Sequence, residues 1–408
     1  MTISCIIPAW NLWETTRACL LSLAEHSQGE DLEIIVVDNG STDETREALG
    51  PLGERLFGAR FRAVRLPENQ GFARGCNAGA RAATGEALFF VNNDITFTPG
   101  WLPPLREALS LPHVVAVGPL LLYPDGTCQH CGVSFSPLYT LCHLYEGFPG
   151  DHPALRRVHP LQALTGAALL LPRVRFQEAG GFHKGYNNGY EDLDLCLSLH
   201  SGGGKLRLAG QSLLYHHTSR TPGRFDRDRE NAALFSSRWG GKIVPDLHLQ
   251  AAVDGYEVRL GPTGRTYVTL PPARVRALET DAATMTAQDC ASRLREEPLW
   301  PGGWLRLSAL LEEQAEDAQA LDVLQRAARF FPVPDIWRPL HRLALRCGQK
   351  ELADSVAREA GGDDPARKRA LIQRCWREAR RRRQAPLVAI YERWLKENPA
   401  EAGQTLTG

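Results

Sequence analysis

The first hundred residues alternate between two hydrophobic periods. Ile3 to Pro8 is a short apolar run suited to a buried strand, and Leu32 to Asp38 is a second. Between them, Trp13 to His26 carries Ala18, Leu21 and Ala24 at helical spacing. Asp43 to Leu56 is helical in composition, and Ala63 to Leu66 reads as a third strand. Gly71 to Ala83 reads as a Gly/Ala-rich helix and Ala87 to Val91 as a fourth strand. Strands alternating with helices predict a parallel α/β sheet covered on both faces.

The pattern loosens after about residue 240. Tyr256 to Leu270 predicts a hairpin around a Gly-Pro-Thr-Gly turn, and the rest to about Pro298 reads as linker and connecting helix. From Trp304 only the helical period remains. Pro332, Pro365 and Pro399 recur at 33 and then 34 residues. Trp304, Ala320, Ala327 and Pro332 align with Trp337, Ala353, Ala360 and Pro365, which is the tetratricopeptide period and pattern. A third unit, about Ala370 to Pro399, contains Pro386 and places Leu387 at the small-residue position, as a terminal capping repeat would. A generic helical bundle is the alternative. The expected division is 1–240, a linker with a hairpin over 241–300, and helical repeats over 301–408.

A chain of 408 residues has room for two or three domains. Its 47 basic and 47 acidic side chains balance, which argues against a dedicated nucleic-acid binder. The run Arg380 to Arg383 reads as a solvated helix face, with a phosphate or anionic-lipid contact as the alternative. Ten cysteines scattered through predicted strands and helices are unlike a secreted disulfide scaffold, so a reducing cytoplasm is expected. No signal peptide is read at the N-terminus, and no apolar run approaches ~18 residues, so no membrane span is expected.

Three polar clusters stand where strands end: Pro8-Ala9-Trp10-Asn11, Asp38-Asn39-Gly40-Ser41 and Asn92-Asn93-Asp94. In open α/β sheets ligands bind at the carboxyl ends of strands, so topology gathers these clusters at one rim. The alternative is that Asp38 and Asp94 only cap the turns that follow them.

Ser4 to Asn11, Val36 to Asp43, Asn69 to Gly79 and Asn92-Asn93-Asp94, in that order, resemble the nucleotide-sugar half of glycosyltransferase family 2. Thr165 to Pro172, Gly180-Gly-Phe182, Tyr190 to Cys196 and Leu214 to Arg220 resemble its acceptor-side blocks. The likeness covers roughly residues 2 to 225 and is nearest the branch associated with O-antigen and rhamnan-type polysaccharides. It implies a GT-A domain with a mixed, mostly parallel sheet, followed here by the all-α repeat region. It also implies inverting transfer of a sugar from a nucleotide-diphosphate donor to a glycan, lipid-linked or protein acceptor.

The resemblance assigns roles residue by residue. Pro8, Ala9, Asp38, Asn69, Gly71, Asn77, Asn92 and Asn93 fall at donor-binding positions. Asp38 would accept from the N–H of a base, Gly71 would let the backbone approach the ligand, and Asn77 would face the donor. Asn92-Asn93-Asp94 occupies the Asp-X-Asp position with Asn in place of the first Asp. Asp94 and His216 would hold Mg2+ or Mn2+, a Lewis acid for the departing diphosphate. His217 adjoins His216 and leaves the choice between them open, with His216 favoured. Asp192 stands at the base position at a predicted helix start, where the helix dipole favours an anion. Glu191 would orient it or the acceptor, and Asp194 would be structural.

Cys128-X-X-Cys131 with Cys142 and His143 has zinc-like spacing. Adjacent strand residues point to opposite faces, however, which disfavours Cys142 and His143 as a ligand pair. Two other functions compete. The repeats could make the chain a protein-docking scaffold with a weak or inactive transferase domain, or the strand-end carboxylates could serve a nucleotidyltransferase. The expected location is the cytoplasm, with peripheral attachment to the inner membrane face as an option.

Overall fold

The computed structural model describes residues 1–218, 227–362 and 364–399. The chain forms two compact units. The first comprises Met1–Ser134, His143–Glu146 and Pro153–Ile243. The second comprises Phe135–Cys142, Gly147–His152 and Val244–Gly408, so it takes in two segments that lie far ahead of its main body in the chain.

The strands up to residue 216 are β1 (Ile3–Ala9), β2 (Leu32–Asp38), β3 (Phe61–Arg65), β4 (Ala87–Val91), β5 (Ile95–Phe97), β6 (Val114–Leu122), β7 (Cys128–His130), β8 (Val133–Phe135), β9 (Leu141–His143), β10 (Ala168–Pro172) and β11 (Lys205–His216). The helices of the first unit are α1 (Trp13–His26), α2 (Thr45–Phe57), α3 (Phe72–Ala82), α4 (Leu102–Ser110), α5 (Arg173–Glu178), α6 (Glu191–Ser201) and α7 (Asp228–Trp239). One nine-stranded sheet runs β3-β2-β1-β4-β10-β6-β11-β5, with β7 paired to β6. Strands β3, β2, β1 and β4 are parallel. β10 is antiparallel to both neighbours, β11 is parallel to β6, and β5 is antiparallel to β11. The sheet is thus the expected mixed, mostly parallel one. β8 and β9 pair as a separate two-stranded ribbon.

Alternation along β1 sends Ile3, Cys5 and Ile7 to one face, where Cys19, Leu20 and Leu23 of α1 and Leu49 and Leu52 of α2 bury against them. The opposite face takes α3, and the Gly/Ala richness of that helix follows from how closely it lies. A Cβ on Gly79 would come 2.4 Å from Cγ2 of Ile6 and 3.0 Å from Cγ2 of Val37. Close seating of α3 fixes the Asn69–Gly71 loop that leads into it.

In the second unit, α8 (Leu247–Val253) precedes the predicted hairpin, β12 (Glu257–Leu260) and β13 (Thr266–Thr269). Gly264 has φ +79° in its turn, a conformation that glycine adopts without strain. Helices α9 (Pro272–Glu279) and α10 (Ala287–Glu296) follow, and α10 opens on a Thr286/Asp289 capping box. Three helix pairs complete the unit: α11 (Pro301–Glu313) with α12 (Asp317–Phe330), α13 (Pro334–Arg346) with α14 (Lys350–Gly361), and α15 (Pro365–Arg381) with α16 (Ala385–Glu397).

The first two pairs repeat one another closely. Trp304 and Trp337 are both buried, as are Ala320 and Ala353, and α12 packs on α13. A single core joins Ala320, Leu324, Trp337, Leu340, Ala353 and Val356. The third pair departs from the expectation of a cap stacked on this array. α15 makes little contact with α14, and Ile372, Cys375, Leu387, Tyr391 and Trp394 form their own core with Leu260 of β12. Pro386 breaks nothing, because it lies in the first turn of α16, where a missing N–H is not needed.

All three pairs turn the same way. Ala315, Gly348 and Arg383, each in the middle of its interhelical turn, have φ of 61°, 72° and 57°. In each, the next N–H (Glu316, Gln349, Gln384) returns to the carbonyl of Leu311, Ala344 or Ala379, the hydrogen bond of a Schellman cap.

Two stability predictions follow from this packing. Gly79→Ala should destabilise the first unit by about 1–3 kcal/mol through overpacking against Ile6, seen as an earlier denaturant midpoint. Ala315→Gly should stabilise the second unit by up to about 1 kcal/mol, and Gly348→Ala should cost about as much. Equal effects of opposite residues at these two sites in thermal melts would contradict the left-handed assignment.

Candidate functional site

Parallel register brings the predicted clusters to one rim. Ala9 pairs with Asp38, and the Asn39 N–H donates to the Ala9 carbonyl at 2.8 Å. Asn39 then ties down the neighbouring loop. Its amide nitrogen donates to Asn69 Oδ1 (3.1 Å) and the Gly71 carbonyl (3.2 Å), while its oxygen accepts from the Gln70 N–H (3.0 Å). Asn69 Oδ1 also accepts from the Gly71 N–H. Gly71 has φ +79°, and Asn188 accepts from the Phe72 N–H at 2.9 Å. A cavity of about 490 Å³ opens here, lined by Glu68, Asn69, Gln70, Gly71, Arg74, Asn187 and Asn188. The Asp38 carboxylate is 3 % exposed; it accepts from the Ser41 N–H (2.8 Å) and lies 3.7 Å from the Arg65 guanidinium.

Asn77 does not reach this rim. Its amide is buried and paired at both ends with Phe182, donating to the carbonyl (2.7 Å) and accepting from the N–H (3.0 Å). It therefore holds the Gly180-Gly-Phe182 block against α3.

The antiparallel pairing of β11 with β5 sets His216 opposite Ile95. His216 is buried, and its Nε2 lies 3.1 Å from Asp94 Oδ1 and 3.3 Å from Asn92 Nδ2. Gln129 on β7 grips the same residue twice: its amide N–H donates to the His216 carbonyl (3.1 Å), and its oxygen accepts from Nδ1. The first bond fixes which end of the Gln129 amide is oxygen, and an oxygen there requires a proton on Nδ1. Nε2, which Gln129 does not engage, faces the Asp94 carboxylate. His217 instead lies outside and exposed, with Nε2 2.9 Å from Thr96 Oγ1. Geometry therefore separates the two histidines. Asn93 donates to Thr16 Oγ1 at 2.8 Å.

The carboxylates of Glu191, Asp192 and Asp194 sit at the start of α6. The half-exposed Asp192 accepts from the Gly166 N–H through Oδ2 (2.7 Å) and from the Leu193 N–H through Oδ1 (2.9 Å). Glu191 is buried and accepts from the Gly189 N–H at 2.7 Å. Asp194 is the structural member: it accepts from the Tyr186 hydroxyl (3.0 Å), the Trp239 indole N–H (2.7 Å) and the Arg238 guanidinium. These bonds tie α6 to α7.

Residues 165–167 connect the two sides. The Thr165 N–H donates to His130 Nε2 (3.3 Å), the Gly166 N–H to Asp192, and the Ala167 carbonyl accepts from the Asn92 N–H (2.9 Å). His130 Nδ1 lies 3.0 Å from His143 Nδ1. With Nε2 accepting an amide, His130 donates from Nδ1. Burial first, then His143 and His216, holds its pKa well below the usual histidine value, so it stays neutral. Sequence reading singled out neither Gln129, His130 nor Asn187-Asn188; no strand-end rule marks them, and only the pairing of β7 with β6 and the approach of the loop before α6 bring them in.

Among the described residues no group of three or more His, Cys, Asp and Glu side chains is arranged to hold a metal ion. A zinc site at Cys128, Cys131, Cys142 and His143 is accordingly not assembled; Cys131 spends its thiol on the Leu144 carbonyl (2.9 Å). Asp94 and His216 make a two-residue set. Two donor atoms 3.1 Å apart suit adjacent positions on an octahedral ion, for which ligands at about 2.1 Å stand about 3 Å apart. Such a pair fits Mg2+, which usually keeps waters and substrate phosphates in its other positions. Ser219 and Arg220, the end of the last motif block, lie outside the described residues.

Residues 4–129 match the family model "Glycosyl transferase family 2". The chain is 27 % identical over 303 residues to O-antigen biosynthesis protein RfbC of Myxococcus xanthus, covering 72 % of this chain and 21 % of that protein. It is 32 % identical over 229 residues to N-acetylgalactosaminyltransferase 6 of Drosophila melanogaster, covering 53 % of this chain and 34 % of that one. The chain thus spans 21 % and 34 % of the length of these relatives. The crystal structure of GalNAc-T7 with UDP, GalNAc and Mn2+ superposes with a TM-score of 0.49 at 17 % identity, over 59 % of this chain and 50 % of its own.

Asn77→Ala should leave the Phe182 N–H and carbonyl without partners and destabilise the first unit by about 1–3 kcal/mol. Nucleotide binding by the folded fraction, measured calorimetrically well below the melting temperature, should be unchanged. A tenfold loss of nucleotide affinity would return Asn77 to the donor site.

Proposed function

We propose that the first unit is an inverting, divalent-cation-dependent glycosyltransferase that moves a sugar from a nucleotide-diphosphate donor to a glycan, lipid-linked or protein acceptor in the cytoplasm. One observation carries the reading. The backbone of residues 165–167 binds Asp192 through one residue and Asn92 through the next, so a candidate base and a candidate diphosphate site share one rigid support. The match of residues 4–129 to the family 2 model supports it. The likeness to a protein named for O-antigen biosynthesis supports a role in surface polysaccharide or glycoconjugate synthesis.

In this reading the donor lies along Pro8, Ala9, Asp38 and the Asn69–Gly71 loop, with Asn92 and Asn93 beside its diphosphate. Asp94 and His216 hold the cation, which when bound supplies Lewis-acid stabilisation of the departing diphosphate. Gln129 keeps the His216 proton on Nδ1 and so keeps Nε2 available. Asp192 takes the proton from the attacking acceptor hydroxyl. Two backbone N–H groups at the start of α6 hold its carboxylate, and its partial exposure leaves it within reach of an acceptor. Glu191 braces the turn before the helix. Residues 1–240 form the transferase domain, 241–300 the connection, and 301–408 a tetratricopeptide-like region that docks a protein partner. Asn92 in place of a carboxylate favours a second reading, in which docking is the main role and transfer is weak.

The test is a thermal-shift panel of UDP, dTDP, GDP and CMP and their sugar conjugates, with and without Mn2+. A donor at ~100 times its Kd should stabilise by ~2.7 kcal/mol. Asp94→Ala should remove the Mn2+ enhancement, and Asp192→Asn should keep the shift while lowering turnover about 10²–10⁴-fold. No shift with any nucleotide would favour docking, and retained turnover in Asp192→Asn would remove it as the base.

A further inference from the structure

Helix α15 and the turn after it carry a charge that the rest of the chain does not share. Residues 365–383 hold nine basic side chains and one carboxylate, Glu378, within a chain whose charges balance overall. The buried face of α15 is Ile372, Cys375 and Ala379. Arg367, Arg374, Arg377 and Arg381 follow one another by seven, three and four residues, so they share the side turned away from that core, and all four are exposed. At 1.5 Å per residue the stripe is about 21 Å long. Glu378 is already shared by Arg381 and Arg382 at 2.6 Å each. No ion pair among the described residues engages Arg367, Arg374, Arg377 or Arg383.

Four like charges on one helix face repel each other at a cost to the free protein. An anionic partner removes that cost. The guanidinium groups favour phosphate oxygens, which they can grip in pairs. The balanced charge of the whole chain disfavours a long nucleic acid, whose phosphates would meet the acidic excess elsewhere. No described helix is long and apolar enough to cross a membrane.

We propose that the arginine stripe of α15 docks the second unit on a bilayer surface rich in anionic phospholipid. The inference is independent of the transferase reading, since it uses no residue of the first unit. Each arginine near such a surface contributes about fivefold in partition at moderate salt, and the attraction fades as the Debye length shrinks from about 10 Å at 0.1 M salt to about 3 Å at 1 M.

The experiment is co-sedimentation of the full chain with vesicles of phosphatidylcholine alone and of phosphatidylcholine with 30 mol % phosphatidylglycerol. Binding is expected only to the second, at least tenfold weaker at 1 M salt, and reduced more than a hundredfold by R367Q/R374Q/R377Q/R381Q. A control that removes four exposed arginines elsewhere, R55Q/R81Q/R329Q/R358Q, should keep its binding within threefold. Circular dichroism of both variants checks that the helices persist. Equal binding to both vesicles, or equal loss in the control, overturns the stripe as the docking surface. Failure to bind vesicles with retention on a polyphosphate column assigns the stripe to a soluble polyanion and overturns the proposal as well.

Discussion

The site of the first unit depends on three consecutive residues, Thr165, Gly166 and Ala167. Their backbone reaches His130, Asp192 and the backbone of Asn92, and the chain then enters β10, the antiparallel strand beside β4. Backbone groups at a strand entrance cannot stay unpaired when buried, and here their partners are the side chains and strand end on which chemistry would depend. The same bonds that satisfy the polypeptide also position the site. Moving this segment would disturb Asp192 and the Asn92–Asp94 turn together.

Side chains elsewhere divide into those that build and those left to act. Asn39, Asn77, Gln129 and Asp194 spend nearly every polar atom on other parts of the fold. Asp192 accepts two backbone N–H groups at the start of α6, and Asp94 lies against His216 Nε2.

The second unit shows how a sequence repeat can outlast the packing it implies. The same left-handed turn recurs at Ala315, Gly348 and Arg383, because a short turn between helices needs one such residue to close its Schellman bonds. Only the first two pairs share a core. The third has Leu387 where the others have alanine, and this larger group buries in a separate core with Leu260 of the hairpin. Its remaining face is then free to be basic.

Local periodicity determined much of this protein from sequence alone. The limits of β2, β4 and α1 coincide with their hydrophobic runs, and the hairpin turns where Gly-Pro-Thr-Gly places it. The polar strand ends at Ala9, Asp38 and Asn92 follow from parallel pairing, which a strand–helix alternation already implies. Family likeness added Asp94, His216 and Asp192 as candidates. Only the tertiary structure decided which histidine side chain meets Asp94: His216, the last residue of β11, is buried against it, while His217 just beyond the strand is exposed beside Thr96. It also decided that Asn77 turns away to Phe182, and that Gln129 and His130 enter through a short antiparallel strand with no signature of its own. The rule behind both outcomes is simple: period reports which residues share a face, while contacts between distant segments report what that face meets.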